Sequence, residues 1–287
     1  MKIVLTFRYN HKNMIKKLAL GCFVTVIVLV LIVVLGLYLI YKTAPDRYNV
    51  LIVGTDQREE ERSRSDVLMV FSIPKNPKKQ TTLLTIPRDT KVEIPGEGLD
   101  KITHAYVFGD REEGEKLGSV DLTKETVENF LDIKIDATVE FNFKSFAEIV
   151  DMLGGVAVDG QTLDGEKALE IVRDRYRAGG DFARTADQRE VFSGLLDKIK
   201  NQSNLEEVTN YIGSSKDARL DYNKNRLIRF GAAFMLRRYG RLTLGNIKEE
   251  VIPGSGGNSY SEKFGQNLYF WNPDEAELQE MIKRGLK

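Results

Sequence analysis

Apolar and polar positions alternate differently along three parts of this chain, and each pattern predicts different elements. From Leu18 to Tyr41 no residue carries a charge. Coiled as a helix, that run is about 36 Å long, enough to cross a hydrocarbon core of roughly 30 Å. It predicts one transmembrane helix over 18–41. A buried core helix fits neither its length nor its unbroken hydrophobicity. A cleavable signal peptide fits poorly too: the apolar part exceeds the usual run of about 7–15 residues, and Tyr41-Lys42-Thr43-Ala44-Pro45 lacks a small-x-small cleavage site. Cys22 reads as a small apolar residue inside the span. Beyond it, Tyr48–Val53, Val67–Ile73 and Thr82–Ile86 are short, continuously apolar runs, as expected of strands buried on both faces. Helical periodicity follows at about 119–131 and 144–153, with a strand at Thr138–Phe143 between. Residues 205 to 287 add two or three helices and short strands near Val251 and Tyr269, and the GSGGNS segment (254–259) reads as a flexible loop. The expected architecture is α/β: a single α/β/α layered domain with a central mixed sheet, behind one N-terminal transmembrane helix. Its parts are a basic tail (1–17), the span (18–41), a linker (42–47) and the domain (48–287), with candidate chemistry within 48–200 and completion of the fold by 201–287.

Charge changes this picture mainly through its distribution. The 287 residues hold 42 basic and 42 acidic side chains. Residues 1–45 contain Lys2, Arg8, Lys12, Lys16, Lys17 and Lys42 and no acid, so the rest is net acidic, which argues against a nucleic-acid partner. Five basic residues precede the span, whereas Lys42 after it is offset by Asp46. That asymmetry orients the N-terminus to the cytoplasm and the domain outside the cell membrane. Cys22 is the only cysteine, so disulfides and thiolate metal sites are excluded from the domain. His11 and His104 are the only histidines, which leaves a His-rich zinc site or a Ser-His-Asp triad poorly supplied.

Leu163 to Glu190 holds Arg173, Arg175, Arg177, Arg184 and Arg189, interspersed with Asp174, Asp181 and Asp187. Such a run is often a solvated helix laced with salt bridges. The spacing offers another reading. On one helix Arg173 and Arg175 would point roughly 200° apart, whereas on an extended segment they share a face. A helix ending near Val172, an extended stretch through Tyr176, a break at Gly179-Gly180 and a second helix capped by Asp181 would bring two arms together. Arg184 and Gln188, four apart, share a face of the second arm. Guanidinium groups grip phosphate oxygens in pairs, so the arrangement reads as a phosphate clamp.

Strand ends carry the remaining candidates. Gly54-Thr55-Asp56 directly follows the first strand, and Ser65-Asp66 directly precedes the second. If the two strands are antiparallel neighbours, both carboxylates reach one sheet edge, where they suit Mg²⁺ completed by phosphates and water; as strand-end residues they also read as plain turn formers. Arg88, in Ile86-Pro87-Arg88-Asp89-Thr90, ends the third strand at the same edge, and Lys101 could join it. His104 reads as a satisfied polar residue.

NVLIVGTD, RSDVLMV, LLTIPRDT, KITHAYVFG and the VRDRY…GDFARTADQ block, in this order behind one span, resemble the LytR-CpsA-Psr family. The resemblance covers about residues 48–200. It implies a polyprenyl-lipid-binding α/β fold and Mg²⁺-assisted transfer of a wall glycopolymer (wall teichoic acid, capsule or another wall polysaccharide) from an undecaprenyl-pyrophosphate-linked glycan to a peptidoglycan acceptor at the membrane. It also implies that Asp56 and Asp66 bind the metal. Arg88, Arg173, Arg175, Arg184 and Gln188 would hold the pyrophosphate, with Arg58, Arg64 and Lys101 as weaker carry-overs. Arg88, Asp66, Arg173 and Arg175 would be the catalytic residues. Two departures stand out: Asp187 precedes Gln188 where the family often has arginine, and the loop between Asp56 and Asp66 looks about two residues short. Two other functions use the same clamp: a non-enzymatic membrane-tethered sensor of lipid-linked wall intermediates, and a polyprenyl-pyrophosphate hydrolase.

Overall fold

The computed structural model of the chain describes residues 11–56, 64–109, 120–173, 180–201, 205–237, 246–261 and 263–287. The chain divides into two units, 1–44 and 45–287. The first contains one helix, α1 (His11–Thr43), whose uncharged stretch continues to Tyr41 as the sequence predicts. Its leucine, isoleucine and valine side chains are exposed along most of its length, which water would penalise and lipid would not. Thr25 Oγ1 donates to Gly21 O at 2.9 Å, so that hydroxyl is satisfied within the helix itself.

The second unit begins with β1 (Arg47–Thr55), β2 (Ser65–Pro74) and β3 (Thr81–Thr85), followed by a hairpin, β4 (Lys91–Ile94) and β5 (Gly98–Lys101). Helices α2 (Thr103–Phe108) and α3 (Asp121–Leu131), strand β6 (Ala137–Asn142) and α4 (Phe143–Met152) come next, then a small hairpin, β7 (Val156–Val158) and β8 (Gln161–Leu163). The arginine-rich segment supplies α5 (Gly165–Arg173) and α6 (Gly180–Asn201). After α7 (Leu205–Ser214) come β9 (Ala218–Tyr222), α8 (Lys224–Arg237), β10 (Ile247–Val251), β11 (Gly254–Ser261), β12 (Gln266–Pro273) and α9 (Glu275–Gly285).

Among the described residues, six strands form one mixed sheet in the order β10-β3-β2-β1-β6-β9. The β1–β2, β2–β3 and β6–β9 pairs are antiparallel, and β1–β6 and β10–β3 are parallel. The continuous apolar runs have a direct cause. Leu51, Val53, Leu68, Val70 and Leu84 pack on one face against α3 and α9, whereas Ile52, Val67, Met69 and Leu83 pack on the other against α4, α5 and α6. Successive strand residues point to opposite faces, so a sheet covered on both sides needs apolar residues at every position.

The GSGGNS segment, expected to be a flexible loop, is instead most of β11, paired in register with β12 from Gly254↔Pro273 to Ser261↔Gln266. The glycines serve close approach here: a Cβ on Gly256 would lie 2.1 Å from the Tyr269 hydroxyl. Residues 201–287 also complete the main sheet at both edges, through β9 and β10.

Candidate functional site

β1 and β2 meet at an irregularity. Gly54 pairs with Val67 and Thr55 with Ser65, so the register skips Asp66. An extra residue of this kind is a β-bulge, which bends its strand and re-aims a side chain. Here it turns Asp66 toward the third strand's end, where its Oδ1 accepts a hydrogen bond from Arg88 Nη1 at 2.8 Å. Arg88 itself is fixed by a tight turn in which both the backbone N–H and the hydroxyl of Thr90 donate to Pro87 O, at 2.9 and 2.6 Å. Asp56 closes the loop between the two strands: its Oδ1 accepts from the backbone N–H of Arg64 at 2.8 Å. The start of α2 braces both sides, since Thr103 Oγ1 donates to Ser65 O at 2.9 Å and Thr103 N–H donates to Arg88 O at 3.2 Å.

A line of alternating charge follows. Arg88 Nε lies 3.6 Å from Asp89 Oδ2, and Lys101 Nζ lies 2.6 Å from Asp89 Oδ1. Lys101, expected as a phosphate ligand, is therefore engaged with a carboxylate, and Asp89 is the residue that sequence reasoning passed over. Its only signal was its place beside Arg88. His104 Nδ1 lies 2.9 Å from Oδ1 of the buried Asp100 but makes no hydrogen bond among the described residues, so it is not the satisfied polar residue the sequence suggests.

The arginine-rich arms are partly described. α5 ends at Arg173, close to the predicted stop at Val172. Arg173 is exposed, with its guanidinium carbon 4.7 Å from the centre of the Phe143 ring, a cation–π contact. α6 begins at Gly180, so Asp181 stands inside the first turn instead of capping it. Gln188 is buried, and its Nε2 donates to Val172 O at 3.3 Å. It thus fastens α6 to the end of α5. Arg64 is exposed, and its backbone serves Asp56. Arg58, Arg175, Arg177, the side chain of Arg184 and the shortened loop lie outside the described residues.

The donor set at the β1–β2 end consists of hard oxygens. Besides Asp56 and Asp66, the buried hydroxyls Thr55 Oγ1 and Ser65 Oγ have no hydrogen-bond partner among the described residues. No group of three or more His, Cys, Asp or Glu able to hold a metal occurs among the described residues. Two carboxylates with nearby hydroxyls fit Mg²⁺, which commonly takes one or two carboxylates and completes its octahedron with water and substrate phosphate.

The family model described as the LytR_cpsA_psr family matches residues 38–162 and 159–287. The chain is 32% identical over 256 residues to the polyisoprenyl-teichoic acid–peptidoglycan teichoic acid transferase TagU of Bacillus subtilis, covering 83% of this chain and 76% of that protein. Among solved structures, TagT bound to LIIa-WTA superposes with a TM-score of 0.62 at 30% identity, covering 83% of this chain and 89% of that one. Bacillus subtilis TagV superposes with a TM-score of 0.62 at 27% identity, covering 83% and 95%. The strand-end carboxylates and Arg88 thus stand on a framework shared with these proteins, and the chain belongs to the LytR-CpsA-Psr family.

Proposed function

We propose that this protein is a membrane-anchored phosphotransferase that moves a wall glycopolymer from an undecaprenyl-pyrophosphate carrier to a sugar hydroxyl of peptidoglycan. The observation that carries this reading is the bulge-aimed Asp66 holding Arg88 at 2.8 Å, beside Asp56, at the strand ends of the family's sheet. Relatives named as teichoic acid transferases support the chemistry, and the uncharged stretch of α1 from Leu18 to Tyr41 supports the anchor.

In the reaction, the acceptor oxygen attacks the phosphorus that bears the glycan. A new phosphodiester P–O bond forms as the P–O–P anhydride bond breaks. Undecaprenyl phosphate leaves with the bonding electrons, and the acceptor hydroxyl loses its proton. Charge grows on the phosphoryl and leaving oxygens, so the protein's main task is to position cations there in advance. Arg88 is held in place for this by Asp66 and by the turn at Pro87. Arg173, exposed at the end of α5, would supply a second cation, with Arg175 and Arg184 as further ligands. Bound by Asp56 and Asp66, Mg²⁺ would add positive charge beside the pyrophosphate oxygens. The phenylalanine ring under Arg173 restricts where its guanidinium travels.

The test uses the full chain in detergent with a glycosyl-pyrophosphoryl-undecaprenyl donor, Mg²⁺ and peptidoglycan oligosaccharides, with products read by mass spectrometry. A phosphodiester-linked conjugate that requires the acceptor and is lost in Arg173→Ala is expected. Cleavage without acceptor would identify a hydrolase, and donor bound but unchanged would identify a sensor.

A further inference from the structure

A cleft of about 450 Å³ opens where the C-terminal ends of β3 and β10 meet the β11–β12 hairpin, α6 and α9. Pro87 and Asp89, the two neighbours of Arg88, form part of its wall; Arg189, Tyr269, Trp271 and Glu277 supply the rest of its chemistry. We propose that this cleft is the acceptor subsite, binding a neutral, N-acetylated glycan of the peptidoglycan backbone and presenting its hydroxyl beside Arg88. The proposal rests on the phosphotransferase reading, which itself does not say where the acceptor sits.

The wall is both aromatic and polar. Tyr269 and Trp271 are two apart on β12 and so share one face, roughly 7 Å from one another along the strand. Trp271 is held rigidly: its indole N–H donates to Ile252 O at 3.0 Å and its backbone N–H donates to Asp89 O at 2.9 Å. That second bond ties the hairpin to the Arg88 turn. Tyr269 is 41% exposed, and its hydroxyl lies where a side chain on Gly256 would begin. The glycine-rich strand therefore makes room for the ring. Sugar rings expose C–H faces that pack on aromatic rings, while their hydroxyl and acetamido groups bond to carboxylates and guanidinium groups.

Charge separates this cleft from the donor's place. Its charged lining is Asp89, Glu277 and Arg189, one more negative than positive. A pyrophosphate would meet net repulsion there; a neutral polyol would not. Its volume falls within the usual range for ligand pockets, about 300–1,000 Å³. Because Asp89 faces the cleft and also lies 3.6 Å from Arg88 Nε, a glycan seated there is adjacent to the phosphoryl site, as in-line attack requires.

Trp271 is the only tryptophan in the chain, so its fluorescence reports this cleft directly. The full chain in detergent is titrated with a β-1,4-linked N-acetylglucosamine tetramer and, separately, with lysozyme-released peptidoglycan fragments. A saturable change is expected that inorganic pyrophosphate neither produces nor competes away. Tyr269→Ala should weaken binding by about tenfold, and Tyr269→Phe should retain it. In turnover, Tyr269→Ala should raise KM for the acceptor and leave KM for the donor alone. Absence of a saturable change, competition by pyrophosphate, or unaltered binding in Tyr269→Ala with its circular dichroism intact would each overturn the assignment. Binding of the free stem peptide in place of the glycan would do so too. Glycan binding without any transfer would keep the cleft as a glycan site and remove the phosphotransferase reading; transfer with an unaltered acceptor KM in Tyr269→Ala would do the reverse.

Discussion

Arg88 illustrates how one residue serves stability and chemistry together. Its guanidinium is about a quarter exposed and faces the Asp66 carboxylate, which is only 10% exposed. Partly buried charges of this kind lose much of their hydration, and the short hydrogen bond offsets part of the loss. Arg88→Ala should therefore lower unfolding stability by about 1–3 kcal/mol and reduce turnover by about 10²-fold or more, measured by urea titration and by the mass-spectrometric assay. Arg88→Lys should recover only part of each, because an ammonium lacks the planar fork. A double-mutant cycle with Asp66→Ala should give a coupling energy of about 0.5–3 kcal/mol in stability; purely additive effects would contradict the pairing. Asp66 is also a proposed Mg²⁺ ligand. Asp66→Ala should raise the Mg²⁺ concentration needed for half-maximal turnover or abolish turnover, and turnover by the unmutated chain that ignores EDTA would remove the metal from the reaction.

Elements carry these residues to the site only if they pack closely, and α4 against α5 is one such contact. α4 starts sharply at the end of β6 because Asn142 and Ser145 form a capping box: the Asn142 side chain accepts from Ser145 N–H and Ser145 Oγ accepts from Asn142 N–H, both at 3.0 Å. α5 then crosses it so closely that a Cβ on Gly165 would lie 2.2 Å from Ala147 O. Backbone cannot yield as a flexible side-chain tip can, so Gly165→Ala should force the helices apart and destabilise the fold by about 1–3 kcal/mol. Arg173 sits at the other end of α5, so turnover should fall further than stability predicts; an unaltered urea midpoint would refute the close approach. Elements of this kind were legible to different degrees. Leu51-Ile52-Val53 and Leu68-Met69-Val70 read as doubly covered strands because every position must be apolar. Asp56, Asp66 and Arg88 were legible because each ends or begins such a run. The ARLDY strand β9 and the GSGGNS strand β11 were not: their side chains are largely polar or absent, β9 pairs with the distant β6, and β11 forms a hairpin with the next strand without any apolar alternation to mark it. The bulge at Asp66 was equally hidden: a skipped register step leaves no mark in composition. Gln188 was read as a ligand because it lies one turn from Arg184, but proximity to Val172 O, set only by helix crossing, decides its bond.

At the scale of the whole molecule, the proposed reaction demands that the domain face the peptidoglycan, and the charge pattern around α1 predicts which way the chain crosses. Lys2, Arg8, Lys12, Lys16 and Lys17 precede the apolar run without an acid among them, whereas Lys42 is followed closely by Asp46. Positive residues are retained on the cytoplasmic side, which predicts that residues from 45 onward lie outside. Arg47, buried at the start of β1, shows how firmly the domain begins: its guanidinium donates to Ser72 O, Ser72 Oγ, Gln80 O and Lys287 O, and burial lowers its pKa to about 10. At neutral pH it therefore stays charged and keeps these bonds. Asp46, one residue earlier, has a side chain 85% exposed and an ion pair with Lys75 at 3.0 Å. Asp46 is exposed, but the Lys75 side chain is only 8% exposed, so losing the pair should cost more than the about 0–1 kcal/mol of a surface ion pair, and circular dichroism must show Asp46→Cys folded before its labelling is read. Cys22 lies within the apolar run and is the only native thiol, which gives a clean background. In intact cells Asp46→Cys should react with a membrane-impermeant maleimide, while the parent chain does not react. Labelling of Asp46→Cys only after the cells are broken would place the domain inside, away from any peptidoglycan acceptor, and the proposed reaction would fail with the topology.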